Sequence, residues 1–255
     1  MIDIKTLGQV DNNYIIDKTI DDAYILKDGC NITIKNGAYA TIYDYSCDTN
    51  INYKISESST LKLFILNTKN VKRAFDVDGE LLINEISFEG TNEDLLINLN
   101  KENASSDLKL LVVARNTKAN FLQRVNHNNK NTYSNISNYG IAFDSSNIFF
   151  DTTGFISKSN SSSNCRQLSK GVVMDDESKI TSKPILLIDE YDCFASHGAA
   201  IGKMSDEDMF YLMSRGLTKT EAFLLILNGI IRPFLDEIKD DEIKKEITEK
   251  VNSLM

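Results

Sequence analysis

The feature that most constrains the fold is a change of periodicity about fifty residues before the C-terminus. Before that point, short segments alternate apolar and polar side chains, which is typical of half-buried strands. Examples are residues 32–34, 61–63, 81–83, 108–110, 148–150 and 184–188. Turn-forming pairs such as Asp28-Gly29 and Asn36-Gly37 separate these segments, and no long helical stripe interrupts them. We predict an all-β body, for which spacing alone leaves open a sandwich, a barrel or a β-solenoid.

The last fifty residues carry the signals of helices. Ser205 followed by Asp208 is a capping pattern, and Gly216 is a suitable helix stop. Thr218 with Glu221 forms a full capping box at the start of a second helix. We therefore predict a division into a β core, residues 1–203, and a helical C-terminal lobe, residues 204–255.

The second predicted helix is apolar over most of its circumference. Residues 223–227 form one apolar block, which needs cover on more than one side. Pro233 follows Gly229 by four residues, and its ring would press on the Gly229 carbonyl, so we predict a kink or a break. A final helix carries an apolar face made by Ile243, Ile247, Val251 and Leu254. The lobe is too short to bury a core alone, so we expect it to pack on the β body or on a partner.

Charge and motif content narrow the classes of function. The formal net charge of -9 disfavours nucleic acid and anionic membranes as partners. The longest apolar run, residues 222–227, is too short to span a bilayer, and no signal peptide is evident, so we predict a cytoplasmic protein. The sequence contains no P-loop, no H-E-x-x-H and no G-x-S-x-G motif. The absence of these motifs disfavours the enzyme classes that use them, whereas the plentiful carboxylates leave a glycosidase open.

Several motifs of the C-terminal half resemble the SufB/SufD family. They are the stretch F-Y-L-M-S-R-G at residues 210–216 with the following Glu221-Ala222 pair, the segment 184–202, and His127 with Thr132-Tyr133-Ser134-Asn135. The resemblance covers roughly residues 120–255. It implies a right-handed parallel β-helix followed by two to three α-helices. Family members are longer and carry an N-terminal helical domain, which we expect to be absent here because the chain starts almost directly in strand.

The resemblance also implies a function, that of a scaffold subunit of the Suf iron–sulfur cluster assembly complex. It implies pairing with a SufB-like subunit and docking on a SufC-type ATPase, in which the ATPase activity resides. The implied ATPase-facing residues are Phe210, Tyr211, Arg215, Gly216 and Leu224. No catalytic residue and no tightly bound cofactor are implied, although a transient iron–sulfur cluster is expected in the complex.

The resemblance implies one candidate metal ligand, His197, at the subunit interface. SufB proteins carry H-E-A-T where this chain has His197-Gly198-Ala199-Ala200, and the glycine favours the SufD side. Many SufD proteins have a cysteine at the position of Ala195, so a thiolate ligand from that position is not expected. The alternative interpretation of His197 is a histidine that bonds backbone groups at an interface.

The cysteines and the other histidine are assigned structural places. Cys193 and His197 face the same side of a strand but lie roughly 13 Å apart, too far to share a metal ion. We therefore predict that Cys193 is a core residue. Cys165 lies in a polar stretch, which leaves both a buried and an exposed position open for it, and we predict that His127 is structural within the β-helix.

Two alternatives to the scaffold prediction stay open. One is a minimal homodimer of this type, binding two copies of the SufC-type ATPase. The other is a carbohydrate-active β-solenoid enzyme, which would carry a groove lined by carboxylates and act without a partner.

Overall fold

The chain winds into a parallel β-helix, each coil of which adds one strand to each of two sheets. The computed structural model describes residues 1–10, 13–66, 68–88 and 90–254. Within these residues the odd-numbered strands form a nine-stranded sheet and the even-numbered strands an eight-stranded sheet. Neighbouring strands run parallel, as in the pairs β11–β13 and β12–β14. The predicted solenoid followed by helices is confirmed, so the sandwich and the barrel do not apply.

The strands lengthen along the chain. The nine-stranded sheet contains β1 (Ile2–Asp3), β3 (Tyr24–Leu26), β5 (Tyr39–Asp44), β7 (Thr60–Leu66), β9 (Glu80–Ser87), β11 (Ser105–Arg115), β13 (Tyr133–Phe143), β15 (Ser163–Val173) and β17 (Cys193–Lys203). The eight-stranded sheet contains β2 (Asn13–Ile16), β4 (Asn31–Ile34), β6 (Asn50–Ile55), β8 (Val71–Val77), β10 (Asn92–Leu99), β12 (Lys118–His127), β14 (Asn147–Ile156) and β16 (Lys179–Ile188). A short 3-10 helix covers Ile4–Leu7.

The coils widen with the strands. Tyr14 lies opposite Ile32 on the next coil, 18 residues further along the chain. Near the other end Gly154 lies opposite Leu186, 32 residues further on. A repeat whose period grows in this way leaves no fixed spacing in the sequence, although every coil uses the same strand pairing.

The solenoid interior is filled by side chains stacked from coil to coil. Ile34, Ile55, Val77 and Leu99 follow one another in register on successive even-numbered strands, and all are buried. Parallel pairing brings like positions together, so one apolar residue per coil continues the same column.

Many corners of the solenoid adopt left-handed backbone conformations. Asn36 and Gly37 lead into β5 with φ of 60° and 70°. The other non-glycine residues with positive φ are Asp48, Ser58, Asn70, Asn103, Asn116, Asn131, Asp144, Ser145, Ser159 and Ser162. Asn and Asp tolerate this conformation better than most residues, which explains the turn-formers between the strands.

Amide side chains form a ladder along one edge of the eight-stranded sheet. Nδ2 of Asn70 donates to Asp48 at 2.8 Å, and Nδ2 of Asn92 donates to Asn70 at 3.3 Å. Asn120 continues the series with a bond to Asn92 at 2.8 Å. The ladder reinforces the same register that the interior columns set.

Three helices follow the last strand: α1 (Asp206–Ser214), α2 (Lys219–Leu235) and α3 (Asp241–Ser253). The predicted caps are present. Ser205 accepts from the backbone N–H of Asp208 at 3.2 Å, and Thr218 with Glu221 forms the capping box. Gly216 has φ of +96°, as expected of a residue that ends a helix.

Helices α2 and α3 pack on the outer face of the nine-stranded sheet. Of the two predicted arrangements of the lobe, packing on the β body or on a partner, the structure shows the first. The shared apolar cluster contains Tyr43, Phe64, Leu66, Ile86, Phe88, Leu111, Val113, Ile141 and Phe143 from the sheet side, and Leu227, Ile231, Phe234, Ile238, Ile243, Ile247 and Val251 from the lobe. Glu237 accepts hydrogen bonds from Lys62 and Lys109, each at 3.0 Å. The predicted division at residues 203 and 204 stays a prediction, although β17 ends at Lys203 and α1 begins at Asp206.

Of the two outcomes predicted at Pro233, a kink or a break, the break does not occur. The helix continues to Leu235 with Pro233 inside its last turn. A proline near the C-terminal end removes one hydrogen bond close to where the helix stops in any case, and Phe234 is buried in the shared cluster.

An ionic network lies inside the solenoid. The Arg73 side chain is fully buried, donates from Nε to Asp44 at 2.9 Å, and also pairs with Glu93. Glu85 lies beside Glu93, and burial together with the Glu93 charge holds the pKa of Glu85 well above its usual range. Burial also raises the pKa of Glu93, so the single positive charge of Arg73 faces a group of carboxyls in which burial favours the neutral form of Glu85 and Glu93.

We predict that Arg73→Met destabilises the protein by about 3–5 kcal/mol, because it leaves buried carboxylates without their cation. The matched control is Arg124→Met. Arg124 pairs with Asp94 at a site where the arginine side chain is 43% exposed, so its loss should cost about 0–1 kcal/mol. Urea unfolding of both variants provides the comparison, and equal losses would contradict the assignment of the network as a structural centre.

Candidate functional site

The C-terminal end of the solenoid is open. Strands β16 and β17 are the terminal strands of their sheets, and within the described residues each has a neighbouring strand on one side only. An edge strand presents backbone N–H and C=O groups that can pair with another chain. We call these two strands and the turn between them, residues 179–203, the open end.

The open end carries large apolar side chains in contact with solvent. Leu187 is 51% exposed and Phe194 is 53% exposed, and Tyr191 in the turn between the strands is completely exposed. Ile201, near the end of β17, is 37% exposed. Exposed apolar side chains on terminal strands are candidates for contact with another protein.

His197 lies in the middle of β17 and faces the solenoid interior. It is in register with Gln167 on the preceding coil, whose side chain is buried. No further coil covers His197, so its ring is exposed at the mouth of the solenoid. Among the described residues His197 has no hydrogen-bond partner, which leaves its ring nitrogens available to a ligand from outside.

The two cysteines nearest to His197 do not join it in a metal site. Cys193 faces the same side of β17, in register with Ser163, and is half-buried. Cys165, whose polar surroundings in the sequence left its exposure open, is buried: its side chain is 1% exposed and faces the interior, packed over Gly154. Burial raises the pKa of both thiols, so both are protonated at neutral pH.

In the described ranges no group of three or more His, Cys, Asp or Glu side chains is arranged to hold a metal ion. In the same ranges no helix is long and apolar enough to cross a membrane.

The residues predicted to face an ATPase form an exposed surface on α1. Phe210 is 75% exposed and Tyr211 is 56% exposed, and the Arg215 guanidinium lies 5.2 Å from the Tyr211 ring centre. Gly216 ends this turn, whereas Leu224 on α2 is half-buried. Helix α1 has no buried residue.

The sequence interpretation did not single out two other exposed apolar residues of the lobe. Met213 on α1 is 45% exposed and Leu225 on α2 is 53% exposed. Leu225 stood inside the apolar block whose orientation the sequence left open. The capping box fixes where α2 begins and thus which residues share one side of the helix. Only the position of the sheet determines which of these sides is covered.

A groove of about 550 Å³ lies on the outer face of the eight-stranded sheet. Asp94 and Asp151 bring carboxylates to its lining, which is the feature expected of a carbohydrate-active solenoid, whereas the Glu93 carboxylate lies inside the solenoid with Arg73. Each of the two outer carboxylates is paired with a cation, Asp94 with Arg124 and Asp151 with Lys183. Nothing in this groove resembles a carboxylic acid and a free carboxylate held apart for glycoside hydrolysis.

Comparison with known families identifies the chain. Residues 14–230 match the model of the SUF system FeS cluster assembly, SufBD core domain. The chain belongs to the SufBD family. The match reaches into the first hundred residues, which from their sequence were only compatible with the family.

Curated members of the SufBD family are similar over parts of the chain. The iron–sulfur cluster assembly protein SufD of Bacillus subtilis is 30% identical over 183 residues, which is 71% of this chain and 42% of that protein. A SufBD family protein of Pyrococcus horikoshii is 41% identical over 81 residues, or 30% of this chain and 18% of that protein. Escherichia coli SufD is 29% identical over 80 residues, or 31% of this chain and 19% of that protein. The chain thus covers less than half the length of these relatives.

His127 sits inside the solenoid. Its ring is buried between Thr132 and Ser134, with Nδ1 2.8 Å from the Thr132 hydroxyl and Nε2 2.9 Å from the Ser134 hydroxyl. Burial lowers the pKa of His127 to about 4. The ring is neutral at pH 7 and has a structural place, as the sequence predicted.

We predict that the His127 site makes stability fall on acidification. The unfolded chain gains this proton near the ordinary histidine pKa of about 6.5, whereas the folded protein resists it, so the contribution should drop by about 2 kcal/mol from pH 7 to pH 5. His127→Gln should remove this part of the pH dependence in urea unfolding, and His197→Gln should leave it in place. An unchanged slope in His127→Gln would contradict the assignment.

Proposed function

We propose that this chain is a non-enzymatic scaffold subunit of the Suf iron–sulfur cluster assembly complex, of the SufD type. It pairs with a SufB-like subunit through the open end and docks on a SufC-type ATPase through the α1 surface. The observation that carries the proposal is the open end itself, in a chain that belongs to the SufBD family. There, unpaired strands, exposed apolar side chains and an accessible histidine occur at the same end of the solenoid.

The physical case for pairing rests on the two unsatisfied features of the last coil. Its backbone groups lack a strand on one side, and the interior positions of β17 lack a covering coil. A second solenoid placed end to end supplies both, because its edge strands pair and its apolar side chains cover Leu187 and Phe194. An isologous contact between two copies of this chain meets the same requirements, so a homodimer is the alternative arrangement.

The case for the ATPase surface rests on α1. This helix carries exposed aromatic side chains but buries none of its residues against the solenoid. Aromatic and arginine side chains dominate the binding energy of protein interfaces, and Phe210, Tyr211 and Arg215 lie close together here. Helices α2 and α3 fix this surface to the β body through the shared apolar cluster.

In this proposal His197 is a ligand to a cluster that is the cargo of the complex. Imidazole can replace thiolate on iron, and a single histidine supplies one position. The remaining ligands come from the partner subunit facing the mouth of the solenoid. The chain itself holds no resident cofactor in this arrangement.

Co-expression with a SufB-like subunit and a SufC-type ATPase, followed by purification on a tag on this chain, tests the proposal. We expect a ternary complex of stable composition by size-exclusion chromatography with light scattering. Recovery with the ATPase alone, at a mass that requires two copies of this chain, would favour the homodimer. Recovery of the chain alone would contradict the proposal.

Substitutions separate the two surfaces. Phe194→Lys should abolish pairing while ATPase capture persists, and Val10→Lys, at the opposite end with a similar exposed fraction of 58%, is the matched control. Phe210→Ala combined with Tyr211→Ala should weaken ATPase capture by about 30-fold or more, as expected for loss of central aromatic contacts. Tyr39→Ala is the control for that pair. A variant that loses both partners, or a pair of variants that lose no partner at all, would contradict the assignment of surfaces.

His197→Ala is tested in the purified ternary complex. We expect the complex to assemble normally and the yield of reconstituted cluster, measured by visible absorption and EPR, to fall severalfold. Lys203→Ala on the same strand should not change the yield. An unchanged yield in His197→Ala would mean that the histidine bonds groups at the interface and binds no iron.

A further inference from the structure

A cavity of about 460 Å³ lies between helix α2 and the outer face of the nine-stranded sheet, on the side facing the open end. Its lining residues are Lys109, Tyr139, Gly140, Lys170, Gly171, Val172, Gly229, Ile230, Pro233 and Phe234. Pockets of about 300–1,000 Å³ are typical of small-molecule sites. Neither the open end nor the α1 surface uses this cavity.

The cavity exists because α2 covers only part of the sheet. Leu111, Tyr139, Lys170 and Ala200 form one outward row across successive strands. Leu111 is buried beneath the helices, and the Phe234 ring meets the Tyr139 ring edge-on at 5.4 Å. Beyond Tyr139 the helix no longer covers the row, so an apolar wall faces the exposed Lys170.

Two features of α2 shape the opposite wall. Pro233 has no N–H, so it cannot make the helical hydrogen bond to the Gly229 carbonyl. Gly229 itself lines the cavity. Gly229 contributes no side chain, and a Cβ added there would have no atom within 4 Å.

The lysines give the cavity its charge. Lys109 is held by Glu237 at 3.0 Å, so its charge is largely compensated. Lys170 lies with Nζ 5.9 Å from the Tyr139 ring centre, and among the described residues it forms no ion pair with a carboxylate. A cation at the mouth of an apolar cavity, in a protein of net charge -9, selects an anion that also has an apolar part.

We propose that this cavity binds a small amphipathic anion, a carboxylate or sulfonate attached to an aromatic or aliphatic body. Lys170 pairs with the anionic group. Tyr139, Val172 and Ile230 cover the apolar body, and the Gly229 carbonyl accepts a hydrogen bond from an N–H or O–H of the ligand. The site goes beyond the proposed scaffold function and does not depend on it.

The probe for this site is 8-anilinonaphthalene-1-sulfonate, which combines a sulfonate, an aromatic body and an N–H. Fluorescence titration of the wild-type chain should show one saturable site. Octanoate should displace the probe, whereas inorganic phosphate, which lacks the apolar body, should not. At a hundredfold excess over its dissociation constant the probe should raise the unfolding midpoint by roughly 5–10 °C.

Variants place the probe in the cavity. Lys170→Ala should weaken binding about tenfold, the typical effect of losing a charge-assisted contact, and Lys170→Arg should restore most of it. Gly229→Phe should block the cavity, and Gly229→Ala is its small-residue control. Lys54→Ala, which removes an exposed lysine from the eight-stranded sheet, should bind as the wild type does.

Circular dichroism and the unfolding midpoint establish that each variant is folded. Lys170 is exposed, so its replacement keeps the test informative even if Gly229→Phe fails to fold. The proposal is overturned if the probe does not saturate, if phosphate displaces it as well as octanoate does, or if Lys170→Ala binds with wild-type affinity.

Discussion

The parallel register between successive coils is the constraint on which the rest of this protein depends. It places one inward residue of each coil directly over the equivalent residue of the coil before, as in the column through Val77, Leu99 and Ile156. A polar side chain in an otherwise apolar column must find its hydrogen-bond partners within its own coil. His127 occupies such a position between Leu99 and Ile156, and hydroxyl groups from the adjoining turn and strand satisfy both of its ring nitrogens.

The helical lobe follows from the same regularity. Widening coils give the nine-stranded sheet an outer face broad enough to carry α2 and α3, and the aromatic and aliphatic residues of that face form one cluster with the helices. The apolar circumference of α2 is therefore divided: one side is buried on the sheet, whereas Leu225 faces solvent. Without the sheet, neither helix would have a surface on which to bury its apolar face.

Local signals predicted much of this architecture. Alternation marked the strands, and Ser205, Thr218 and Gly216 marked helix ends, because each of these effects acts within a few residues. Features that depend on contacts across coils were not predictable in the same way. The growing period concealed the repeat, the polar neighbours of Cys165 in sequence gave no sign of its burial, and the pairing of Arg73 with Asp44 joins residues 29 apart. The site was located through family motifs around His197, and its exposure at an uncovered end required the structure.

The inward side chains and the unpaired edge of β17 show why an end of this solenoid differs from its middle. In an inner coil, inward side chains are covered on both sides and backbone groups are paired on both sides. In β17, His197 and Ile201 keep the inward direction of core residues but have only the preceding coil behind them. Extending the solenoid by one coil would bury them and leave a new edge of the same kind. A longer chain alone therefore cannot remove the uncovered side chains and unpaired backbone groups of the last coil. A partner whose own solenoid ends in unpaired strands would cover both edges at once. Its inward side chains would then lie within reach of His197.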